Sequence, residues 1–63
     1  MTAAIFWDYV EALRTLEFEA RQTPGETDRA LAMLAINDLG RRLEAGTHTS
    51  MDLMILEEAK SRS

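Results

Sequence analysis

The only histidine of the chain, His48, lies in a short segment rich in hydroxyl groups. Thr47, Thr49 and Ser50 surround it, and a nucleophile needs an adjacent base, which a serine–histidine pair could supply here. Neighbours in a short turn rarely hold the required geometry, and the sequence positions no third group to orient the base. We therefore predict a solvent-exposed turn histidine and no enzyme, with a His48-dependent activity as the alternative.

Acidic residues around His48 have part of the spacing of a metal site. Glu44, His48 and Asp52 recur every four residues, which places them on one face if the helix is continuous. Gly46 and a helix-start signal at Thr49 interrupt that helix, so we expect the three side chains to diverge. The sequence contains no cysteine and no glycine-rich phosphate loop, and we predict neither a metal nor a cofactor.

The charge balance argues against nucleic acid as the main partner. Seven basic and eleven acidic residues give a net charge of −4, whereas a phosphate-backbone binder carries a basic patch. The second and third predicted helices have the outline of a helix-turn-helix, but the third presents apolar and acidic side chains to the groove. A small transcription-related factor that contacts nucleic acid through the basic doublet Arg41 and Arg42 is the alternative function.

The chain is short enough that its stability is a constraint on its function. Sixty-three residues allow one helical domain over residues 1–63 with a marginal core, and three glycines and one proline are too few for a turn-rich β fold. Without disulfides or a metal, self-association is the remaining way to stabilise it. We predict a homo-oligomer, most simply a dimer. With no cysteine, signal segment or membrane span, we expect a cytoplasmic protein without a membrane partner.

Apolar periodicity divides the chain into three predicted helices, which span residues 2–21, 24–45 and 50–60. Thr2 is the predicted N-cap of the first helix. The second is predicted to begin at a capping box, in which Thr23 and Glu26 reciprocate and Pro24 occupies the first helical position. Thr27 is a rival cap. The expected architecture is an all-α helical hairpin with a short third helix, assembled as a dimeric bundle.

Gly46 directly follows the second predicted helix, and glycine is the usual residue at that position. The third predicted helix begins at a cap signal formed by Thr49 and Asp52. A close approach between helices would explain Gly40 inside the second helix. The predicted core combines the apolar face of the first helix with the seam of the second, that is Ile5, Phe6, Tyr9, Val10, Leu13, Leu16, Ala20, Ala32, Ile36, Leu39 and Leu43.

Two large aromatic residues lie away from the main apolar face of the first predicted helix. Trp7 and Phe18 are eleven residues apart, so on one continuous helix they point the same way, about 16 Å apart. Arg14 lies four residues before Phe18 and can stack on its ring. Tryptophan, phenylalanine and arginine are enriched in protein interfaces. Burial within the protein's own assembly is one interpretation, and a recognition patch for a partner protein is the other.

The second and third helices carry more apolar surface than three short helices can bury. The residues predicted to form the subunit interface are Leu31, Leu34, Met51, Met54 and Ile55. For Met33, Met51 and Met54 the simplest role is to fill the core, and the alternative is a pliable docking surface.

The chain resembles, in type, the small accessory proteins made from early regions of temperate, lambdoid-type phages. The resemblance covers the whole chain and rests on its size, its lack of cysteine, its acidic balance, its three-helix outline and the aromatic-rich start Ile5-Phe6-Trp7-Asp8-Tyr9. It implies a protein that binds host or phage regulators. No functional residue carries over from it. We expect a non-enzymatic interaction module that self-associates and modulates a partner protein.

Overall fold

The computed structural model describes residues 3–62, with side chains from Phe6 onward. The described residues form four helices, namely α1 Ala3–Asp8, α2 Val10–Arg21, α3 Glu26–Ala45 and α4 Ser50–Arg62. The predicted all-α class is confirmed, with four helices where the periodicity predicts three. The predicted cap at Thr2 and the predicted core side chain of Ile5 lie outside the described residues.

The first predicted helix is divided at Tyr9. The backbone there has φ −105° and ψ 1°, which lies between the helical and extended regions. The Tyr9 amide donates to the carbonyl oxygen of Phe6 at 3.0 Å, three residues back, and the Leu13 amide donates to the Tyr9 carbonyl at 2.9 Å. The bend lets Phe6, Tyr9 and Leu13 all pack against the core. This packing explains a helix break that involves neither glycine nor proline.

The turn between α2 and α3 differs from the prediction. The helix begins at Glu26, and Gly25 precedes it with φ 89°, so Pro24 lies outside the helix. Thr23 does not cap α3 and instead donates its hydroxyl to a carbonyl oxygen in the last turn of α2 at 3.3 Å. The rival cap Thr27 lies inside α3. The capping-box prediction was wrong because a glycine with positive φ reverses the chain after the proline.

The turn after α3 follows the prediction. Gly46 adopts the left-handed conformation with φ 79°. Its amide donates to the Leu43 carbonyl at 3.3 Å, and the Thr47 amide donates to the Arg42 carbonyl at 2.9 Å. These two bonds form the Schellman motif, which satisfies carbonyls at the end of a helix.

The helix α2 is central and packs against both α3 and α4, while α1 packs against α2 and α3. The buried core cluster contains Ala12, Leu39, Leu43, Leu56 and Ala59. Only Leu43 and Leu56 are large side chains that are fully buried among those described. The predicted seam is therefore confirmed at its C-terminal end, and the core is small.

Gly40 does not mark a close approach between helices. A Cβ atom added there meets Leu13 Cδ1 at 4.0 Å, which is an ordinary van der Waals contact. The close-approach prediction was wrong.

Candidate functional site

A network of charged side chains joins the end of α3 to the start of α4. Arg42 donates from Nε to Asp52 Oδ2 and from Nη2 to Asp52 Oδ1, each at 3.0 Å. Its third nitrogen, Nη1, contacts Asp38 Oδ2 on the preceding turn of α3. We call Asp38, Arg42 and Asp52 the α3/α4 ion-pair node. The bidentate geometry fixes the direction of the guanidinium as well as its position.

Asp52 also caps α4. Its Oδ2 accepts a hydrogen bond from the Thr49 amide at 2.9 Å, and its own amide donates to Thr49 Oγ1 at 3.2 Å. This reciprocal pair confirms the predicted cap signal, with aspartate in the place that glutamate usually takes. Two elements of the fold therefore depend on one carboxylate.

The electrostatics of the node follow from its geometry. Asp52 is 6% exposed, and its pKa is lowered to about 2 by the hydrogen bonds from Arg42 first and the Thr49 amide second. The same ion pair raises the pKa of Arg42. Both charged groups thus remain ionised across the physiological range, and the node is a fixed structural connection.

This arrangement bears on the predicted nucleic-acid doublet. All three guanidinium nitrogens of Arg42 contact carboxylates, so its charge is already paired with Asp38 and Asp52. Arg41 is exposed and forms no ion pair among the described side chains. The doublet does not present two free cations on one surface.

His48 is half-buried, and its Nδ1 atom is buried without a hydrogen-bond partner among the described residues. The predicted solvent-exposed histidine is therefore wrong. His48 lies in the short connection between Gly46, at the end of α3, and the Thr49 cap of α4. The Thr49 hydroxyl accepts the cap hydrogen bond. Residues 3–62 bring together no group of three metal-ligating side chains, so Glu44, His48 and Asp52 do not converge.

A second set of polar contacts joins α2 to α4 on the surface. The Tyr9 hydroxyl donates to Glu57 at 2.7 Å, which raises the pKa of Tyr9, and Lys60 Nζ lies 5.1 Å from the centre of the Tyr9 ring. At the other end Arg62 donates to both carboxylate oxygens of Glu19 at 2.9 and 3.0 Å, which lowers the pKa of Glu19. Exposed pairs of this kind stabilise a fold only slightly.

The predicted recognition residues are exposed but do not form the expected array. Trp7 and Phe18 are 68% and 63% exposed, and the break at Tyr9 places them on different helices. Their relative direction therefore no longer follows from a separation of eleven residues. Trp7 lies edge-on to Phe6 with ring centres 5.9 Å apart. Among the described side chains, the cation that lies over an aromatic ring is Lys60, which contacts Tyr9. Arg14, which the sequence predicts to stack on Phe18, is exposed.

The residues predicted for self-association share one property, which is high exposure in the single chain. Four are between 59% and 65% exposed and the fifth is 40% exposed. We call this set the α3/α4 face; it comprises Leu31, Leu34, Met51, Met54 and Ile55. The interpretation of Met51 and Met54 as core residues is wrong for the single chain, whereas Met33 is half-buried.

Sequence reasoning missed the ion-pair node. Arg42 and Asp52 are ten residues apart and belong to different helices. A signal was present, because an arginine in the last turn of one helix precedes a glycine turn and an acidic cap residue. In this order along the chain, a cation at the C-terminal end of one helix comes close to an anion at the N-terminal end of the next helix, and each charge is favourable at its own helix end.

The described residues form no concave pocket and include no helix long and apolar enough to cross a membrane. No protein-family model, curated protein or solved structure matches this chain. The features available for a functional argument are therefore its exposed apolar surfaces and the node that joins α3 to α4.

Proposed function

We propose that this chain is a non-enzymatic interaction protein that self-associates and modulates a partner protein by covering one of its surfaces. One observation carries the proposal. Among the described side chains seven large apolar ones are 40% to 68% exposed, while only two are fully buried. Where exposed apolar side chains form a patch on a small domain, the patch typically marks an interaction site.

The energetics support self-association through the α3/α4 face. Complete burial of a leucine, isoleucine or methionine side chain stabilises by about 1.5 to 3 kcal/mol. Covering the exposed fractions of the five side chains, which range from 40% to 65%, contributes roughly 4 to 9 kcal/mol per chain. For two chains this is about 8 to 18 kcal/mol, against an association cost of about 4 to 15 kcal/mol.

The polar groups support a role without catalysis. Asp52 is occupied by Arg42 and by the Thr49 cap, and its carboxylate is held ionised. A general base needs a pKa near the working pH and access to a substrate. His48 has no paired nucleophile in the described chain and no pocket beside it.

The exposed aromatic residues outside the α3/α4 face support a separate partner. Trp7 lies on α1 and is exposed, as are Arg14 and Phe18 on α2. Exposed tryptophan, phenylalanine and arginine have the composition of an interface hot spot. The resemblance to small phage accessory proteins favours a regulatory, cytoplasmic role for this surface.

The single tryptophan provides the experiment. We expect light scattering after size exclusion to give a dimer. Acrylamide is expected to quench Trp7 fluorescence equally in dimer and dilute monomer, because self-association covers the other surface. Trp7→Ala should keep the dimer and lose capture of the partner from the source cell. A monomer at every concentration, combined with no partner lost by Trp7→Ala, contradicts the proposal.

A further inference from the structure

We propose that α1 is a hinged segment, and that the contact of Tyr9 with Glu57 holds the hinge in the bent position. When this contact opens, α1 and α2 join into one continuous helix, on which Trp7 and Phe18 lie along the same side. This conformational change belongs to the single chain, so it goes beyond the proposed function and depends neither on self-association nor on a partner protein.

The hinge is a single residue. Tyr9 lies between Asp8, which ends α1, and Val10, which begins α2. Its φ of −105° and ψ of 1° differ from the values of an α-helix by about 40° in each angle. A rotation of this size at one residue is the main change that separates the bent chain from a continuous helix.

The local sequence permits both forms. The segment from Ala3 to Arg21 contains no glycine and no proline, so nothing in it requires a break. The helix α2 begins at Tyr9 without a hydrogen bond from a capping side chain. The first amides of a helix need acceptors from outside it, and in a continuous helix the carbonyl oxygens of α1 supply them.

Contacts with α4 hold Tyr9 in its bent position. The Tyr9 hydroxyl donates to Glu57 Oε1 at 2.7 Å, and Lys60 Nζ lies 5.1 Å from the centre of the Tyr9 ring. Lys60 Nζ also lies 4.0 Å from Glu57 Oε1, so the three side chains form one cluster. We call this cluster the Tyr9 latch. Because its partners are forty-eight or more residues apart in the chain, the latch exists only while α4 is docked beside Tyr9.

The charges around the latch act on the Tyr9 hydroxyl. Among the described side chains they are Glu57 and Lys60 from α4 and Asp8 from α1. The hydrogen bond to Glu57 is the largest of the effects that raise the pKa of Tyr9 above its ordinary value of 10.0. The contact is exposed, and exposed contacts of this kind contribute little stability. Its loss therefore shifts the balance between the two forms without unfolding the core.

Few other side-chain contacts fix the position of α1. Three of its side chains are described, and of these Phe6 packs against the core whereas Trp7 and Asp8 are exposed. The segment is thus held by Phe6 at one turn and by the Tyr9 latch at the next. A segment with so few buried contacts is the kind that opens locally while the rest of a domain stays folded.

Opening of the hinge changes the arrangement of the exposed aromatic residues. Trp7 and Phe18 are 68% and 63% exposed and lie on different helices in the bent form. On one continuous helix their separation of eleven residues places them on the same side, about 16 Å apart. Arg14, seven residues after Trp7 and four before Phe18, then lies between them on that side. The latch therefore controls whether the three side chains share one surface.

The test compares two adjacent glutamates by NMR spectroscopy of the full chain. In the unaltered chain the Cα chemical shift of Tyr9 is expected to be non-helical. Glu57→Gln weakens the latch and should raise the helical fraction at residue 9 by about three- to tenfold, the effect expected for one exposed charge-assisted hydrogen bond. Glu58→Gln alters an exposed neighbour that pairs with Arg62 and should leave this fraction unchanged.

A second variant and a second measurement keep the hinge testable if Glu57→Gln fails to fold. Tyr9→Phe keeps the ring and removes the hydroxyl, and should raise the helical fraction at residue 9 in the same way. The chain has a single tyrosine, so its absorbance titration reports Tyr9 alone. Glu57→Gln should lower the pKa of Tyr9 toward 10.0, and Glu58→Gln should not. A residue 9 that stays non-helical in both latch variants, or that is already helical in the unaltered chain, overturns the inference. A Tyr9 titration unaffected by Glu57→Gln overturns it as well.

Discussion

Arg42 and Asp52 form a bidentate ion pair in which Nε–Oδ2 and Nη2–Oδ1 are both 3.0 Å, although one residue lies in the last turn of α3 and the other in the first turn of α4. Because Asp52 also caps α4 through Thr49, the start of that helix and its attachment to α3 depend on the same carboxylate. The node therefore connects the last turn of α3 to the first turn of α4.

Acid is expected to destabilise the fold through Asp52. Its pKa is about 2 in the folded chain and 3.8 ordinarily, so its contribution is complete above about pH 4 and is lost as the pH falls toward about 2. We expect this group to account for about 1 to 2 kcal/mol of the free energy of unfolding. Urea unfolding at a series of pH values measures it. Asp52→Asn should flatten the profile in this window, and an unchanged profile would contradict the assignment to Asp52.

Two threonine variants test which helix start is capped. Thr49→Ala removes the acceptor of the Asp52 amide and should cost about 1 kcal/mol of stability. Thr23→Ala removes a hydroxyl that donates to Glu19 at the end of α2 and should cost less than about 0.5 kcal/mol. Chemical denaturation compares them. A larger loss for Thr23→Ala would mean that the capping box predicted from the sequence forms in solution after all.

Two glycine variants should have opposite effects. Gly40→Ala places a methyl group in ordinary contact with Leu13 and should raise the free energy of unfolding by about 1 kcal/mol. Gly46→Ala forces an L-residue to φ 79° and should lower it by about 1 kcal/mol. Thermal unfolding measures both. Destabilisation by Gly40→Ala would show that α2 and α3 approach more closely than the 4.0 Å contact indicates.

The effect of salt concentration on binding distinguishes self-association from nucleic-acid binding, which are the two functions that the sequence suggests. Each chain carries a net charge of −4, so two copies repel, and added salt screens that repulsion. We expect the dimer to tighten between about 50 and 500 mM sodium chloride. Binding of nucleic acid through Arg41 and Arg42 would weaken over the same range. A gel-shift titration on DNA and RNA at low salt, with Arg41→Ala/Arg42→Ala as its control, measures the second behaviour.

The parts of the fold that the sequence predicts are those encoded locally. Gly46 ends α3 and the Thr49–Asp52 pair begins α4, because each requirement involves residues only a few positions apart. The buried seam residues Leu39 and Leu43 follow from helical periodicity. The exposed side of α4 is not what periodicity alone indicates, because a helix that is apolar nearly all round is normally buried, whereas Met51 and Met54 are exposed in the single chain.

The parts that the sequence does not predict depend on distant contacts. The break at Tyr9 accompanies packing of Phe6 on the core and a hydrogen bond from Tyr9 to Glu57, forty-eight residues away. Ala12 and Ala59 are fully buried, yet an alanine gives a weak periodic signal whether it is buried or exposed. The partner of Arg42 is likewise set by the relative position of two helices.

Sedimentation equilibrium across a concentration series measures the molar mass of the unaltered chain and so decides whether it self-associates. We expect a reversible monomer–dimer equilibrium that approaches twice the 7.1 kDa of one chain, and we expect Leu34→Gln to shift it toward the monomer. A mass of one chain throughout the series, with a cooperative and concentration-independent thermal transition, would contradict it.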